Sequence, residues 1–280
     1  MRNILKQQPK YSEITQGSVI TGCVANRYAD CPVWGFIITA RCDLAQKNKT
    51  PIVHYLPIVN FEDFLQKEII DDLREGWMNE LKSNLASRMK EKNLSSSFLD
   101  MPLTAEDFEK IIRTNFKKQK EADKFMSDYQ RWVGSGNLLI KDIISEKSGE
   151  GKLKHEMDRL VNNENSGFYL IEDWKCSNNN SNKYKVILLR EIKEMSIDCA
   201  RCLPDGILEE EKDASYLQSN NLAVTEDRSN FYYVDTEVQS PFVEHILQRF
   251  SNNFVRIGIE DLPKAQVSKQ LVEQSKLILQ

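Results

Sequence analysis

The chain has 280 residues, of which 40% are hydrophobic and 29% are charged, and its formal net charge at pH 7 is −4. This composition is typical of a water-soluble globular protein with one large domain or two small ones. The net negative charge excludes a global positive field that would attract nucleic acid or acidic lipid, but it leaves room for a local basic patch.

Neither a membrane span nor an oxidising compartment is expected. The apolar runs are well short of the roughly 18 residues that cross a bilayer, and residues 1–10 lack the apolar stretch of a signal peptide. Six cysteines fit a chain of this length if they are reduced thiols. We therefore expect a cytoplasmic protein with no membrane partner.

Three strands are predicted near the start of the chain, at 17–24, 33–41 and 51–59. Short loops between consecutive strands favour an antiparallel meander. The second strand contains the apolar run Trp34 to Ile38 and leads into Arg41, Cys42 and Asp43. We expect these three residues in a loop at the end of the sheet, where rigid scaffolds often present functional groups.

Apolar spacing then changes from two residues to three and four, which predicts helices. One amphipathic helix is expected over 61–92 and a second over 104–132, with Thr104 and Asp107 as a variant of the capping box. The two helices are predicted to form an antiparallel hairpin, so that 61–136 is a helical insertion in a β-rich domain.

The remaining chain is predicted to return to strands at 167–174, 184–192 and 231–234, with helices at 152–161, after Ser240-Pro241 and at 266–279. Residues 203–221 are predicted to be irregular, with Glu209-Glu210-Glu211 as a solvated acidic run. The expected class is α+β. Residues 1–60 would supply the first part of a β-barrel, and 137–280 the rest of the β-rich domain with C-terminal helices.

Cys42 is a candidate nucleophile because the neighbouring Arg41 favours the thiolate. A hairpin would bring His54 of the next strand close to it, with Asp43 orienting the imidazole. Two structural interpretations compete with catalysis. A free cysteine commonly packs as a small hydrophobe, and an aspartate after a strand commonly caps a turn.

Cys199 and Cys202 form a lone C-x-x-C motif, with Cys176 as the candidate third ligand and a histidine or Cys31 as the candidate fourth. A structural zinc site needs four ligands, and no second paired motif supplies the others. We expect no metal and no cofactor.

Contact with RNA is a third candidate function. Arg27, Tyr28, Arg41, Lys47 and Lys49 cluster on predicted loops of the first three strands. Basic side chains beside an aromatic ring can bind phosphate and stack a base. An ordinary solvated loop explains the same residues.

The order of these strands resembles the opening of the MazF/PemK-type toxins, which are small SH3-like barrels, many of which cut RNA without metal. The matching segments are Gln16-Gly17-Ser18-Val19-Ile20, Gly35-Phe36-Ile37-Ile38-Thr39 and His54-Tyr55-Leu56-Pro57-Ile58-Val59. The family usually has Arg-Pro before the second strand, whereas this chain has Cys31-Pro32, with Arg27 as the nearest upstream arginine. The resemblance implies an SH3-like antiparallel barrel, with Thr39, Arg27 and Arg41 as the residues acting on RNA.

A second resemblance is to a largely uncharacterised bacterial group reminiscent of components of defence or mobile loci. It rests on Thr39-Ala40-Arg41-Cys42-Asp43-Leu44 and, near the other end, on Ser240-Pro241, Gln248-Arg249-Phe250, Arg256-Ile257-Gly258, Asp261 and Pro263. The leading hypothesis is a bacterial antiviral-defence or toxin-type protein that acts on RNA through the barrel loops. The alternative is a non-enzymatic adaptor that binds a protein partner from the same locus. A zinc-stabilised structural module is a third class.

Overall fold

A computed structural model of the chain describes residues 13–46, 49–101, 103–134, 147–172 and 184–253. The predicted helix at 266–279, Cys176, Lys47 and the motif that contains Arg256, Asp261 and Pro263 lie outside the described residues. Among the described helices, none combines the length and the apolar character that a membrane span requires.

An antiparallel sheet, curled into a half-barrel, forms the centre of the described structure. Its strands follow the order β4-β5-β3-β2-β1-β9, with β6 paired to β3 beside this path, and β7 and β8 form a separate two-stranded sheet. The α+β class is confirmed, as is the antiparallel pairing of the first three strands. The strands are β1 Ser18–Ile20, β2 Val33–Ile37, β3 Ile52–Asn60, β4 Phe168–Glu172, β5 Tyr184–Leu188, β6 Lys193–Ser196, β7 Ile207–Leu208, β8 Phe231–Tyr232 and β9 Val234–Glu237.

Strand β3 is central because both of its edges are paired. Along one edge it pairs with β2, from Val33 opposite Val59 to Ile37 opposite Tyr55. The other edge is shared by β6 near the start of β3 and β5 near its end. With nine residues, β3 therefore ties the first three strands to the later part of the sheet.

Both faces of the sheet are buried. Side chains alternate along a strand, so Val53 and Tyr55 of β3 enter one apolar cluster, while Leu56 and Ile58 enter another. A C-terminal helix supplies Val243 and Ile246 to the second cluster. Burial on both faces explains why β2 and β3 read as nearly continuous apolar runs rather than as alternating ones.

Nine α-helices surround the sheet in the described residues. A continuous helical rod spans the predicted 61–92, but its second segment is a π-helix, Leu65–Ile70. The α-helices are α1 Arg41–Ala45, α2 Phe61–Phe64, α3 Asp71–Glu91, α4 Ala105–Asn115, α5 Gln119–Val133, α6 Lys147–Val161, α7 Ile197–Cys202, α8 Ala214–Ser219 and α9 Phe242–Asn252.

The second predicted helix, 104–132, is wrong as a single element because the chain breaks between α4 and α5. The break begins at Phe116, whose buried ring lies 5.1 Å from that of Phe125. The predicted cap is confirmed, since the Thr104 side chain accepts a hydrogen bond from the Asp107 amide at 3.1 Å.

Helices α3, α4 and α5 share an apolar cluster that is separate from the two clusters of the sheet. At its centre, the rings of Phe108 and Tyr129 are stacked with centroids 4.0 Å apart. The cluster contains Leu85, Met89, Leu99, Phe108, Ile112, Phe116, Ala122, Phe125 and Met126. These helices come between β3 and β4 in the chain and have a core of their own.

Candidate functional site

Arg41, Cys42 and Asp43 lie in the short helix α1 instead of the expected loop. The predicted second strand ends at Ile37, four residues earlier than expected. Leu44 is the buried residue of α1 and packs in the first core cluster, which fixes the helix against the sheet. Arg41 and Cys42 are consequently presented to solvent.

Asp43 is held by a side-chain ion pair. Its Oδ1 lies 2.5 Å from Lys49 Nζ and accepts a weaker contact from Cys42 Sγ at 3.4 Å. The hydrogen bond from Lys49, followed by that from Cys42, holds the pKa of Asp43 below its usual value. The same contact raises the pKa of Lys49. Among the described residues, no backbone amide of the turn donates to this carboxylate. Asp43 is therefore bound by side chains and does not cap the turn as expected.

Thr39 and His54 meet through the backbone. The His54 amide donates to Thr39 Oγ1 at 2.7 Å, which leaves the hydroxyl proton free to be donated elsewhere. The His54 imidazole is exposed, with Nε2 at 4.0 Å from Glu194 Oε2. His54 faces away from Val53 and Tyr55, which share a cluster with Leu44 of α1. The structure therefore does not pair His54 with Cys42, whose described contacts are Asp43 and Lys49.

Arg41 lines an open cavity of about 470 Å³. Arg201 of α7 lines it too, together with two carboxylates, Glu13 and Glu237. Leu44 and Ile197 supply apolar walls. We call Thr39, Arg41, Asp43, Lys49 and this cavity the strand-end cluster. It combines a hydroxyl, cations and a concave surface.

Arg27 lies at the opposite end of β2 from Arg41. It precedes β2, whereas Arg41 follows it, and its guanidinium pairs with Glu68 at 2.9 Å and Asp71 at 3.2 Å. Both carboxylates come after the far end of β3. The arginine that the resemblance singled out is therefore not brought together with Thr39 and Arg41.

A second concave site, which the sequence analysis missed, lies beside the π-helix. Glu68 of that helix lines a groove of about 830 Å³, together with His155 and Arg159 of α6. Burial raises the pKa of Glu68, although the nearby Arg27 charge opposes the shift. π-Helical turns are rare and frequent at functional sites. The spacing of Lys152, His155 and Arg159, which places them on one helical face, was the available sequence signal.

The two cysteines of the C-x-x-C motif differ in environment. Cys199 is fully buried and burial raises the pKa of its thiol, whereas Cys202 is exposed. Within the described ranges, no group of three or more His, Cys, Asp and Glu side chains is arranged to hold a metal ion. The absence of zinc stays a prediction, because Cys176 lies outside those ranges.

Comparisons with protein-family models, with curated proteins and with solved structures found no match for this chain. The resemblances to MazF/PemK-type toxins and to the bacterial defence or mobile-locus group stay predictions.

Proposed function

We propose that this chain is a bacterial defence or toxin-type protein that acts on RNA, as a metal-independent endoribonuclease, through the strand-end cluster. The observation that carries the proposal is the position of Arg41 on the wall of an open cavity, two residues after Thr39. A cation beside a hydroxyl, on a concave surface, suits a phosphodiester whose charge increases in the transition state.

The proposed roles follow from the contacts. Thr39 Oγ1 accepts from the His54 amide, and the threonine keeps its own proton to hydrogen-bond and orient the 2′-hydroxyl of the RNA. Attack of the 2′-oxygen on phosphorus breaks the bond to the 5′-oxygen, and solvent water takes the 2′-proton and supplies a proton to the leaving oxygen. Arg41 offers a fixed positive charge with several donors to the non-bridging oxygens. Asp43 is a poor base because its pKa is lowered, and its role is to position Lys49 as a second cation.

The test is incubation of purified protein with single-stranded RNA in the presence of EDTA. We expect cleavage, and a loss of roughly 100-fold in rate for Arg41→Ala, as for removal of a charge-stabilising donor. Arg27→Ala is the matched control, because it removes the same charge at the opposite end of β2. Intact RNA would overturn the proposal, as would an equal loss of rate in both variants.

The alternative is a non-enzymatic adaptor that binds a protein partner of the same locus. The separate core of α3, α4 and α5 favours it, since a helical unit with its own core can present an exposed face to a partner. Reversing the charges of Glu106 and Lys110, both exposed on α4, should then abolish a complex with that partner and leave the melting temperature unchanged. A complex that survives both reversals would argue against this surface.

The finer description of the fold belongs to the same proposal. We treat the half-barrel as SH3-like and residues 61–136 as an insertion that divides it into 1–60 and 137–280. The support is that the helices between β3 and β4 form an apolar cluster separate from those of the sheet.

A further inference from the structure

The groove beside the π-helix is lined by basic, acidic and apolar side chains. It lies between the π-helix, α6, the start of β4 and Arg190 of the β5–β6 connection. Its volume of about 830 Å³ is within the range of small-molecule sites. The groove is distinct from the strand-end cluster, because Glu68 on its wall pairs with Arg27 at the other end of β2.

One wall carries three basic side chains and one carboxylate, Glu156. Lys152, His155 and Arg159 lie at spacings of three and four on α6 and therefore on one face of it. Arg159 Nη1 binds Glu156 at 2.9 Å, and Arg190 Nη2 donates to Ser166 at 2.8 Å. Each guanidinium carries five N–H donors, so most of them are left for a ligand.

His155 completes this wall. Its imidazole is exposed and makes no hydrogen bond or ion pair with the part of the chain that the structure describes. A neutral or charged imidazole supplies at least one further donor to an anion. Lys152 Nζ is already paired with Glu80 at 2.7 Å, so the His155 imidazole and the two guanidiniums are the groups left to converge on one negatively charged group.

The floor and the acidic wall differ from the basic wall. Ile69 and Leu73 are buried apolar residues of the floor, and Phe168 is held beside them by an edge contact with Phe64, with ring centroids 4.7 Å apart. Glu68 and Asp72 form an acidic wall, in which Glu68 already accepts from Arg27 and Tyr28 and each carboxylate oxygen has a second lone pair for a further donor. An apolar floor between donors and acceptors favours a flat ligand that is anionic at one end and carries N–H or O–H groups at the other.

We propose that this groove binds a nucleoside phosphate. The phosphate lies against His155, Arg159 and Arg190, the base covers the floor at Phe168, and Glu68 and Asp72 accept hydrogen bonds from ribose hydroxyls or base amino groups. Charge complementarity commits the groove to this class, because a simple anion would leave the floor and the acidic wall unused. The inference goes beyond action on RNA at the strand-end cluster and does not rest on it.

The experiment is calorimetric titration of the full chain with adenosine 5′-monophosphate, adenosine, inorganic phosphate and a single-stranded RNA oligonucleotide. We expect the monophosphate to bind at least tenfold more tightly than adenosine or phosphate, each of which satisfies only part of the groove. His155→Ala and Arg159→Ala should each weaken its binding about tenfold or more, as for loss of a charge-assisted hydrogen bond.

Lys154→Ala is the matched control, since Lys154 is exposed on α6 and is not part of the groove wall. It should retain the affinity of the unaltered chain, and circular dichroism should show all three variants folded. Absence of monophosphate binding, equal affinity for inorganic phosphate, binding of the RNA alone, or unchanged affinity in both wall variants would each overturn the proposal. Intact RNA in the cleavage test would leave it standing, so the two proposals fail separately.

Discussion

Glu209 and Thr225 make a two-point contact: the Thr225 amide donates to Glu209 Oε1 at 2.8 Å, and the Thr225 hydroxyl donates to Oε2 at 2.7 Å. The Asn230 amide adds a third hydrogen bond at 3.1 Å. Glu209 is fully buried, so the expectation that Glu209-Glu210-Glu211 is a solvated run is wrong for its first residue. The carboxylate organises the loop between α8 and β8.

Replacing Glu209 by Gln should lower the free energy of unfolding at pH 7 by about 2 kcal/mol, because the amide cannot accept from three donors on both of its heavy atoms. Glu210→Gln is the control, since the side chain of Glu210 is exposed and its replacement should change stability little. Chemical denaturation of the two variants measures the difference. Equal stability of the two variants would show that the contact contributes nothing.

The loss of stability caused by Glu209→Gln should become smaller in acid. Burial alone would raise the pKa of Glu209, but the hydrogen bonds from Thr225 and Asn230 and the charge of Arg228 outweigh it and hold the pKa below its ordinary value of 4.5. A lowered pKa in the folded state stabilises the fold above the unfolded-state pKa, and this contribution is lost as the pH falls through the folded-state pKa.

Gly35 in β2 leaves no room for a side chain. A Cβ atom there would lie 2.7 Å from Cys23 Sγ and 2.9 Å from Tyr55 Cδ2, both buried. We expect Gly35→Ala to destabilise by roughly 1–3 kcal/mol through overpacking. Gly76→Ala is the matched control in open space on α3, and should stabilise by about 1 kcal/mol because alanine favours helix. The thermal unfolding temperature should therefore fall for Gly35→Ala and rise for Gly76→Ala.

Cysteine reactivity should follow burial. Cys42 and Cys202 are exposed, whereas burial raises the pKa values of Cys23 and Cys199. A thiol reagent at pH 8, followed by peptide mapping, should modify Cys42 and Cys202 much faster than Cys23 and Cys199, and denaturant should remove the difference.

Elemental analysis of the same sample should find no stoichiometric zinc, since a zinc ion at the C-x-x-C motif would need the buried Cys199 as a thiolate. Rapid native modification of Cys199, or one zinc per chain, would contradict this.

How far the sequence predicts the structure depends on the range of the interactions. Short apolar runs bounded by polar loops located β1 to β3, and apolar spacings of three and four located the helices after them, because each pattern reflects the burial of a single element. The break at Phe116 and the burial of Glu209 were missed, since both depend on contacts outside a single element: Phe116 packs on Phe125 of the next helix, and Glu209 binds amides of an irregular loop.

The candidate sites show the same limit. Thr39, Arg41 and Asp43 are neighbours in sequence, whereas the positions of Arg27 and His54 depend on how the strands and loops pair. The groove at Glu68 combines residues from the π-helix, α6 and β4, which lie up to 100 residues apart in the chain. The spacing of residues within one helix or strand cannot predict that these residues meet in one groove.

Glu68 should show a pH dependence opposite to that of Glu209. Burial raises its pKa above the ordinary 4.5, although Arg27 and the hydrogen bond from Tyr28 oppose the shift. The folded state therefore binds this proton more tightly than the unfolded state does. Its stabilising contribution is complete below the unfolded-state pKa and is lost as the pH rises through the folded-state pKa.

Glutamine mimics the protonated side chain, so Glu68→Gln should gain stability relative to the unaltered chain between pH 4 and pH 7, whereas Glu209→Gln should lose it. Urea denaturation of the three proteins at several pH values measures both trends, and the same sign for both variants would show that the groove does not desolvate Glu68.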